Sequence, residues 1–241
     1  MSFTSQELVD TAIELRACIY QILSRPTEPD VLLGNHPLAV FASHAARIAS
    51  WHGTRIETHL AEWINHVPDW DAKVRERILI AGRTYEIDNL ACNRRLNIVL
   101  AVESKRVWIN QPHHSMKDVR AKITLYQSPA VLPTIVSHVG MQTSDFRFFV
   151  FDAYGRTKKG SNGLSIIAGN KIANIFNNTL SVYLQWEQQV IANAIFEKLD
   201  PEHQDNALQE QLKIDVMNGT ITAPTAKTKQ EILDFIDKHA N

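Results

Sequence analysis

Phe146-Arg147-Phe148-Phe149-Val150-Phe151 is the strongest strand signal in the chain: six residues, five of them apolar and four aromatic, opened by Asp145 and closed by Asp152. Such a run is too short for a helix of ordinary length and too apolar for a solvated loop, so it belongs in a buried sheet. It has company. Leu96 to Val102 is a second β-branched run, whose pattern also admits a helix continuing to Ile109, Thr134 to Val139 is a third, and Leu164 to Ala168 a fourth. Together they predict a small central antiparallel sheet, with 146–151 and 164–168 forming a hairpin whose tip is the loop 154–163.

The flanks follow a helical rhythm. Over 4–24, Thr4 or Ser5 can cap a helix whose apolar residues Leu8, Ala12, Leu15 and Ile19 recur at helical spacing. The Arg25-Pro26-Thr27-Glu28-Pro29 run stops it, because proline lacks a donor and restrains its predecessor. Similar patterns predict helices over 37–51, 54–66 and 69–81, the last two bounded by Gly53 and Gly82. Ser115 opens another over 116–126. Asn170 caps a long helix to about Leu199, and a helical, acidic tail with a break at Gly219 follows, ending in a helix over 229–239. The expected fold is α+β: an N-terminal helical region at 1–82, a β-containing region at 83–170, and a long C-terminal helix with its helical tail at 171–241.

Charge is distributed unevenly over this plan. The whole chain has 25 basic and 26 acidic side chains, yet residues 83–171 hold 13 basic against six acidic, a net +7, which leaves the remainder at −8. Opposed fields of this size suit a polyanionic ligand on one region and protein neighbours on the other. The expected nucleic-acid contacts are Arg94, Arg95, Lys105, Arg106, Lys117, Arg120, Lys122, Arg147, Arg156, Lys158, Lys159 and Lys171. Gly160 and Asn162 join them in the basic loop, where glycine lets main-chain N–H groups approach phosphates. That loop lacks the G-x-x-x-x-G-K-[ST] spacing of a nucleotide-hydrolysing site. The bases cluster into two lips, Lys117 to Lys122 and Arg156 to Lys159.

Chemistry is less legible. Cys18 and Cys92 stand 74 positions apart and read as small buried apolar groups. The ten histidines, including adjacent His113 and His114, form no H-E-x-x-H pattern, and no serine lies in G-x-S-x-G. No catalytic residue, no metal and no cofactor is expected. Two acid pairs have spacings open to acid/base or metal work, Glu86 with Asp88 and Asp145 with Asp152. The N-terminus has no basic region followed by an apolar one, and no run reaches membrane-spanning length, so a cytoplasmic protein without a membrane partner is expected.

Between Lys117 and Phe151 the order of a basic helix (Lys117-Asp118-Val119-Arg120), then Ser128-Pro129-Ala130-Val131-Leu132-Pro133, a strand, Gly140-Met141-Gln142 and the aromatic strand resembles the large-subunit-type protein of plasmid-borne type IV CRISPR effector complexes. The resemblance implies a non-catalytic subunit of an RNA-guided complex. Its partners would be guide RNA, target DNA and other protein subunits, and Lys117, Arg120, Arg147 and the loop 156–163 would contact the 5′ end of the guide and a short duplex motif beside the target. Such proteins often carry paired cysteines for zinc near the N-terminus, which a chain with Cys18 alone there cannot supply. Two other readings stand beside it: a DNA-binding transcriptional regulator of a mobile element, and a carboxylate-dependent hydrolase or transferase built on Asp145, Asp152 and a histidine.

Overall fold

The computed structural model describes residues 3–34, 36, 39–108, 113–155, 158–159, 164–219 and 227–240, with the backbone alone at 113–115 and 158–159. The chain is mixed α and β and divides into two compact units, one built from Ile56–Ser181 and Ile221–Asn241, the other from Ser2–Arg55 and Val182–Thr220.

The first unit is organised on a six-stranded mixed sheet, not a small antiparallel one. Its strands are β1 (Trp70–Ile80), β2 (Arg83–Asn93), β3 (Ile98–Lys105), β4 (Asp145–Asp152), β5 (Lys158–Lys159) and β6 (Ser165–Ala168), in the order β1-β2-β3-β4-β6-β5. Strands β1, β2 and β3 form an antiparallel meander, while β4 runs parallel to both β3 and β6. The helix predicted over 69–81 is therefore a strand. Ile80 pairs with Arg83 across a two-residue turn in which Ala81 and Gly82 have φ of 48° and 79°. Two successive positive φ values make the tight turn whose twist matches a hairpin, so Gly82 turns a hairpin where sequence suggests that it ends a helix.

A parallel step from β3 to β4 needs a crossover, and α3 (His113–Tyr126) with α4 (Leu132–His138) supplies it. The strand predicted over 134–139 is this second helix. Pro133 lies in its first turn, where the missing N–H does no harm, and Ile135, Val136 and Val139 recur so as to reach the core. The hairpin predicted between 146–151 and 164–168 does not form either, because β4 and β6 are parallel neighbours; β5 is the strand that pairs antiparallel with β6.

The core on one face joins Val99 and Ala101 of β3 and Phe146, Phe148 and Val150 of β4 to Val119, Ile123 and Tyr126 of α3 and Ile135 of α4. On the other face the Asn89 side chain donates to the Glu57 carbonyl of α2 (Ala39–Asn65) at 2.7 Å, and Ser165 Oγ donates to the Ile236 carbonyl of the last helix, Lys229–Lys238. Helix α2 is continuous through Gly53, where two helices are predicted, and belongs to this unit from Ile56 onward.

The second unit is helical. Helix α1 (Ser5–Ser24) opens with a capping box in which Thr4 and Glu7 each serve the other's backbone N–H. The predicted long helix from Asn170 is interrupted: in the first unit a 3-10 turn at Gly169–Lys171 leads into α5 (Ala173–Phe176) and Asn177 takes φ 51°, and α6 (Leu180–Leu199), which lies in the second unit from Val182 onward, starts afresh. Helix α7 (Asn206–Asn218) also belongs to the second unit, whereas the last helix, Lys229–Lys238, is α8 of the first. Arg55 meets the fully buried Glu187 at 2.6 Å, and Arg16 pairs with Glu197.

Candidate functional site

Two carboxylates and two ammonium groups meet at the end of β3. The register that sets Asn89 opposite Val102 carries Asp88 of β2 to Glu103 of β3. Residues two apart on a strand share a face, so Glu103 and Lys105 point the same way, toward α3. Lys122, one turn before Tyr126 on that helix, reaches back to them. Glu103 Oε1 accepts from Lys105 Nζ at 2.8 Å and Glu103 Oε2 from Lys122 Nζ at 2.8 Å. Asp88 Oδ2 accepts the Ser104 backbone N–H at 2.9 Å and lies 3.5 Å from Lys105 Nζ.

Like charges directly across two strands repel, and burial makes this worse. Burial, reinforced by Glu103 and opposed by the two lysines, pushes the Asp88 carboxyl from 3.8 up to about 6. Burial pulls the Lys105 ammonium down, but Asp88 and Glu103 outweigh it and its pKa rises, so Lys105 stays charged at neutral pH. Tyr126 is fully buried, and its hydroxyl has no hydrogen-bond partner among the described residues. Burial, with the charges of Glu103 and Asp88, raises its pKa as well.

The neighbourhood is strained. In the β1–β2 register the pairing runs without slippage from Trp70 to Ile80 except at Arg75, the position facing Asp88, where φ is 53°. A left-handed arginine inside a strand costs about 1–3 kcal/mol, and strain of this kind concentrates at functional sites. Arg75 donates to Glu57 at 2.7 Å, and Glu57 contributes to raising Asp88.

The cluster also has a place that suits ligands, at the carboxyl ends of parallel strands. Lys105 ends β3 beside Asp152, which ends β4. Asp152, buried, accepts the Trp108 backbone N–H at 2.9 Å. The turn after it folds tightly over its carboxylate: a Cβ on Gly155 would stand 1.8 Å from Oδ2, and one on Gly169 would stand 2.2 Å from the Ala153 carbonyl. Only glycine permits either approach.

The residues expected to contact nucleic acid are spread among different tasks. Lys105 and Lys122 belong to the charge cluster. Arg94 donates to the carbonyls of Val139 and Gly140, Arg95 to Asp69 at 2.6 Å, and Arg147 to both oxygens of Asp237 on α8, at 2.6 and 2.7 Å. Lys117 and Lys171 are exposed, Arg120 is half-buried on α3, and Arg106 keeps its Nε buried without a hydrogen-bond partner among the described residues. Lys158 and Lys159 lie on β5, while Arg156, Gly160 and Asn162 fall outside the described residues. Of the two basic lips, the structure therefore describes the side chains of Lys117 to Lys122 alone.

The acid pairs resolve differently from their spacing. Asp145 and Asp152 sit at opposite ends of β4, and Asp145 pairs with Lys229. Glu86 pairs with Arg77 at 3.1 Å, and the carboxylate that meets Asp88 is Glu103. Glu103 is not among the residues expected from sequence, although one signal is there: an acid on one β run, then Glu103-Ser104-Lys105 closing the next, with the acid and the base two residues apart. Among the described residues no three His, Cys, Asp or Glu side chains group as ligands for a metal ion, and no helix is long and apolar enough to cross a membrane. The chain matches no family model and no curated protein.

Proposed function

We propose that this chain is a phosphodiesterase that cleaves nucleic acid at the end of β3. The observation that carries this reading is the group Asp88, Glu103, Lys105 and Lys122: two carboxylates held side by side against their mutual repulsion, with lysines bound to them, in a region with an excess of basic residues. Lys105 and Lys122 neutralise the pair, and with both Glu103 oxygens held by ammonium groups the cluster does not fit a divalent cation; what it offers is a carboxylate and an ammonium side by side.

Glu103 holds the Lys105 and Lys122 ammonium groups in place, one on each oxygen. Asp88, raised to about 6 and ionised at neutral pH, takes the proton of a water whose oxygen attacks the phosphorus; the P–O bond to the departing sugar oxygen breaks and that oxygen takes a proton from solvent, while the Lys105 ammonium stabilises the negative charge gathering on the phosphoryl oxygens. The Asp152 carboxylate holds the Trp108 backbone and so fixes the segment that follows Lys105. Exposed Lys117 and Lys171 give a polyanion its first contacts.

The test is a cleavage panel. Single- and double-stranded DNA and RNA are incubated with purified protein and Mg²⁺ or Mn²⁺, with EDTA as control. Wild type cleaves at least one class of substrate, and Asp88→Asn, Glu103→Gln and Lys105→Met each lower the rate by on the order of 10³-fold. Absence of cleavage across the panel, or cleavage indifferent to Asp88→Asn, refutes the proposal.

The guide-complex subunit implied by the resemblance shares the ligand class but assigns no task to the Asp88 and Glu103 pair. RNA of uniform length co-purifying intact with the chain, together with an inert panel, would favour it.

A further inference from the structure

The helical second unit holds a cavity of about 560 Å³, a size within the range of small-molecule sites. It lies where the C-terminal ends of α1 and α6 meet the start of α2, and all of its lining residues belong to that one unit. Its walls are apolar: Leu23 comes from α1, Val40 and Phe41 from α2, and Leu199 from α6. Val40, Phe41 and Leu199 are 42%, 43% and 50% exposed. Apolar side chains gathered around one hollow and left open to water mark a place that an apolar ligand covers.

The charge on these walls has one sign. The Lys198 ammonium stands 4.6 Å from the centre of the Tyr20 ring, a cation–π distance, and both residues line the cavity. Arg16 donates to the Tyr20 hydroxyl at 3.4 Å and pairs with Glu197, so the acid next to Lys198 in the chain is already taken. Among the described residues Lys198 has no carboxylate partner, and no acidic side chain lines the cavity. His44, 8% exposed, is also on the wall, and its buried Nδ1 has no hydrogen-bond partner among the described residues. A polar atom left unsatisfied there is a cost that a ligand's polar head can remove.

We infer that this cavity binds a fatty-acid-type monocarboxylate, its head on Lys198 and its alkyl chain along Leu23, Phe41 and Leu199. Neighbouring ligand classes fit less well. A neutral hydrocarbon would cover the ammonium without pairing it, and a cation would meet it as a like charge. A nucleotide would bring several anionic oxygens to walls that offer one ammonium and mostly carbon. One carboxylate matches one ammonium, and methylene groups match the walls. The site lies in the helical unit and does not depend on the phosphodiesterase reading.

Full-length protein stripped of bound lipid is titrated by calorimetry with octanoate, decanoate and dodecanoate, and with decan-1-ol and decylamine as head-group controls. One decanoate binds per chain, and affinity rises about fourfold for each added methylene until the cavity is filled. Decanol binds about tenfold more weakly than decanoate, and decylamine does not bind. Lys198→Met lowers decanoate affinity about tenfold and leaves decanol unchanged, Lys198→Arg retains decanoate, and Phe41→Ala weakens decanoate and decanol alike. Decanol binding as tightly as decanoate, a decanoate affinity indifferent to Lys198→Met, or no binding of any of these compounds overturns the inference. So does an oligomer that Phe41→Asp converts to monomers while decanoate stays unbound, since the apolar face is then a contact between copies of the chain. Should Lys198→Met fail to fold, the ratio of decanoate to decanol affinity on wild type still decides.

Discussion

Replacing Asp88 by asparagine removes a charge that the folded protein bears at a loss. In the folded chain burial and Glu103 lift this carboxyl from 3.8 to about 6, and the difference corresponds to at most about 3 kcal/mol of destabilisation at pH values above both. Asparagine fills the same volume, and its carbonyl oxygen can still accept the Ser104 N–H. The contact given up is the 3.5 Å approach of Lys105, while Glu103 retains both lysines at 2.8 Å. The net gain should therefore be about 1–2 kcal/mol, or roughly 3–6 °C in Tm for a chain of this size. The direction with pH follows from the raised value. Between about pH 4 and 6 the folded state holds the proton more tightly than the unfolded one, so wild-type stability falls as pH rises through this window, and the advantage of the variant opens there and is complete by pH 7. Circular dichroism melts in EDTA at pH 4 and pH 7.5 measure it. The reasoning is refuted if Asp88→Asn melts below wild type at pH 7.5, or if the gap is the same at both pH values. A variant that is more stable yet inactive is the pattern expected of a residue kept for chemistry at the expense of stability.

Gly169→Ala places a Cβ 2.2 Å from the Ala153 carbonyl, backbone against backbone, and should destabilise by about 1–3 kcal/mol in chemical denaturation. Gly155→Ala meets the Asp152 carboxylate instead; it should lower cleavage more than stability, because it displaces the acceptor that holds Trp108, and kinetics with parallel melts separate the two. A double-mutant cycle on Arg147 and Asp237, both partly exposed, should give a coupling of about 1 kcal/mol. For nucleic-acid affinity, Lys117→Ala should reduce the slope of log affinity against log salt by about one phosphate, whereas Arg147→Ala, whose guanidinium is already bound to Asp237, should leave that slope unchanged.

What the sequence determines on its own is local. Thr4 and Glu7 announce α1 through a capping box that needs no partner elsewhere, and the apolar runs at β3, β4 and β6 are strands because such runs must be buried on both faces. Where sheet and helix compete, pairing decides. Trp70–Ile80 carries charges that suit a helix, and it becomes a strand because Ala81 and Gly82 return the chain to lie along it; Thr134 to Val139 is β-branched, and most of it is helical because a parallel crossover must be covered. The site is decided in the same way. Glu103 and Lys105 face one direction by strand alternation alone, a fact available from their spacing. That Asp88 faces Glu103, and that Lys122 reaches them from a helix, depends on register and on crossover packing. Neighbourhood between strands is set by hydrogen bonds between residues far apart in the chain, and no local preference encodes it. The basic excess of 83–171 is visible in composition, but which lysines serve the buried carboxylates and which face water is a tertiary matter, because only the fold decides which bases lie beside an acid.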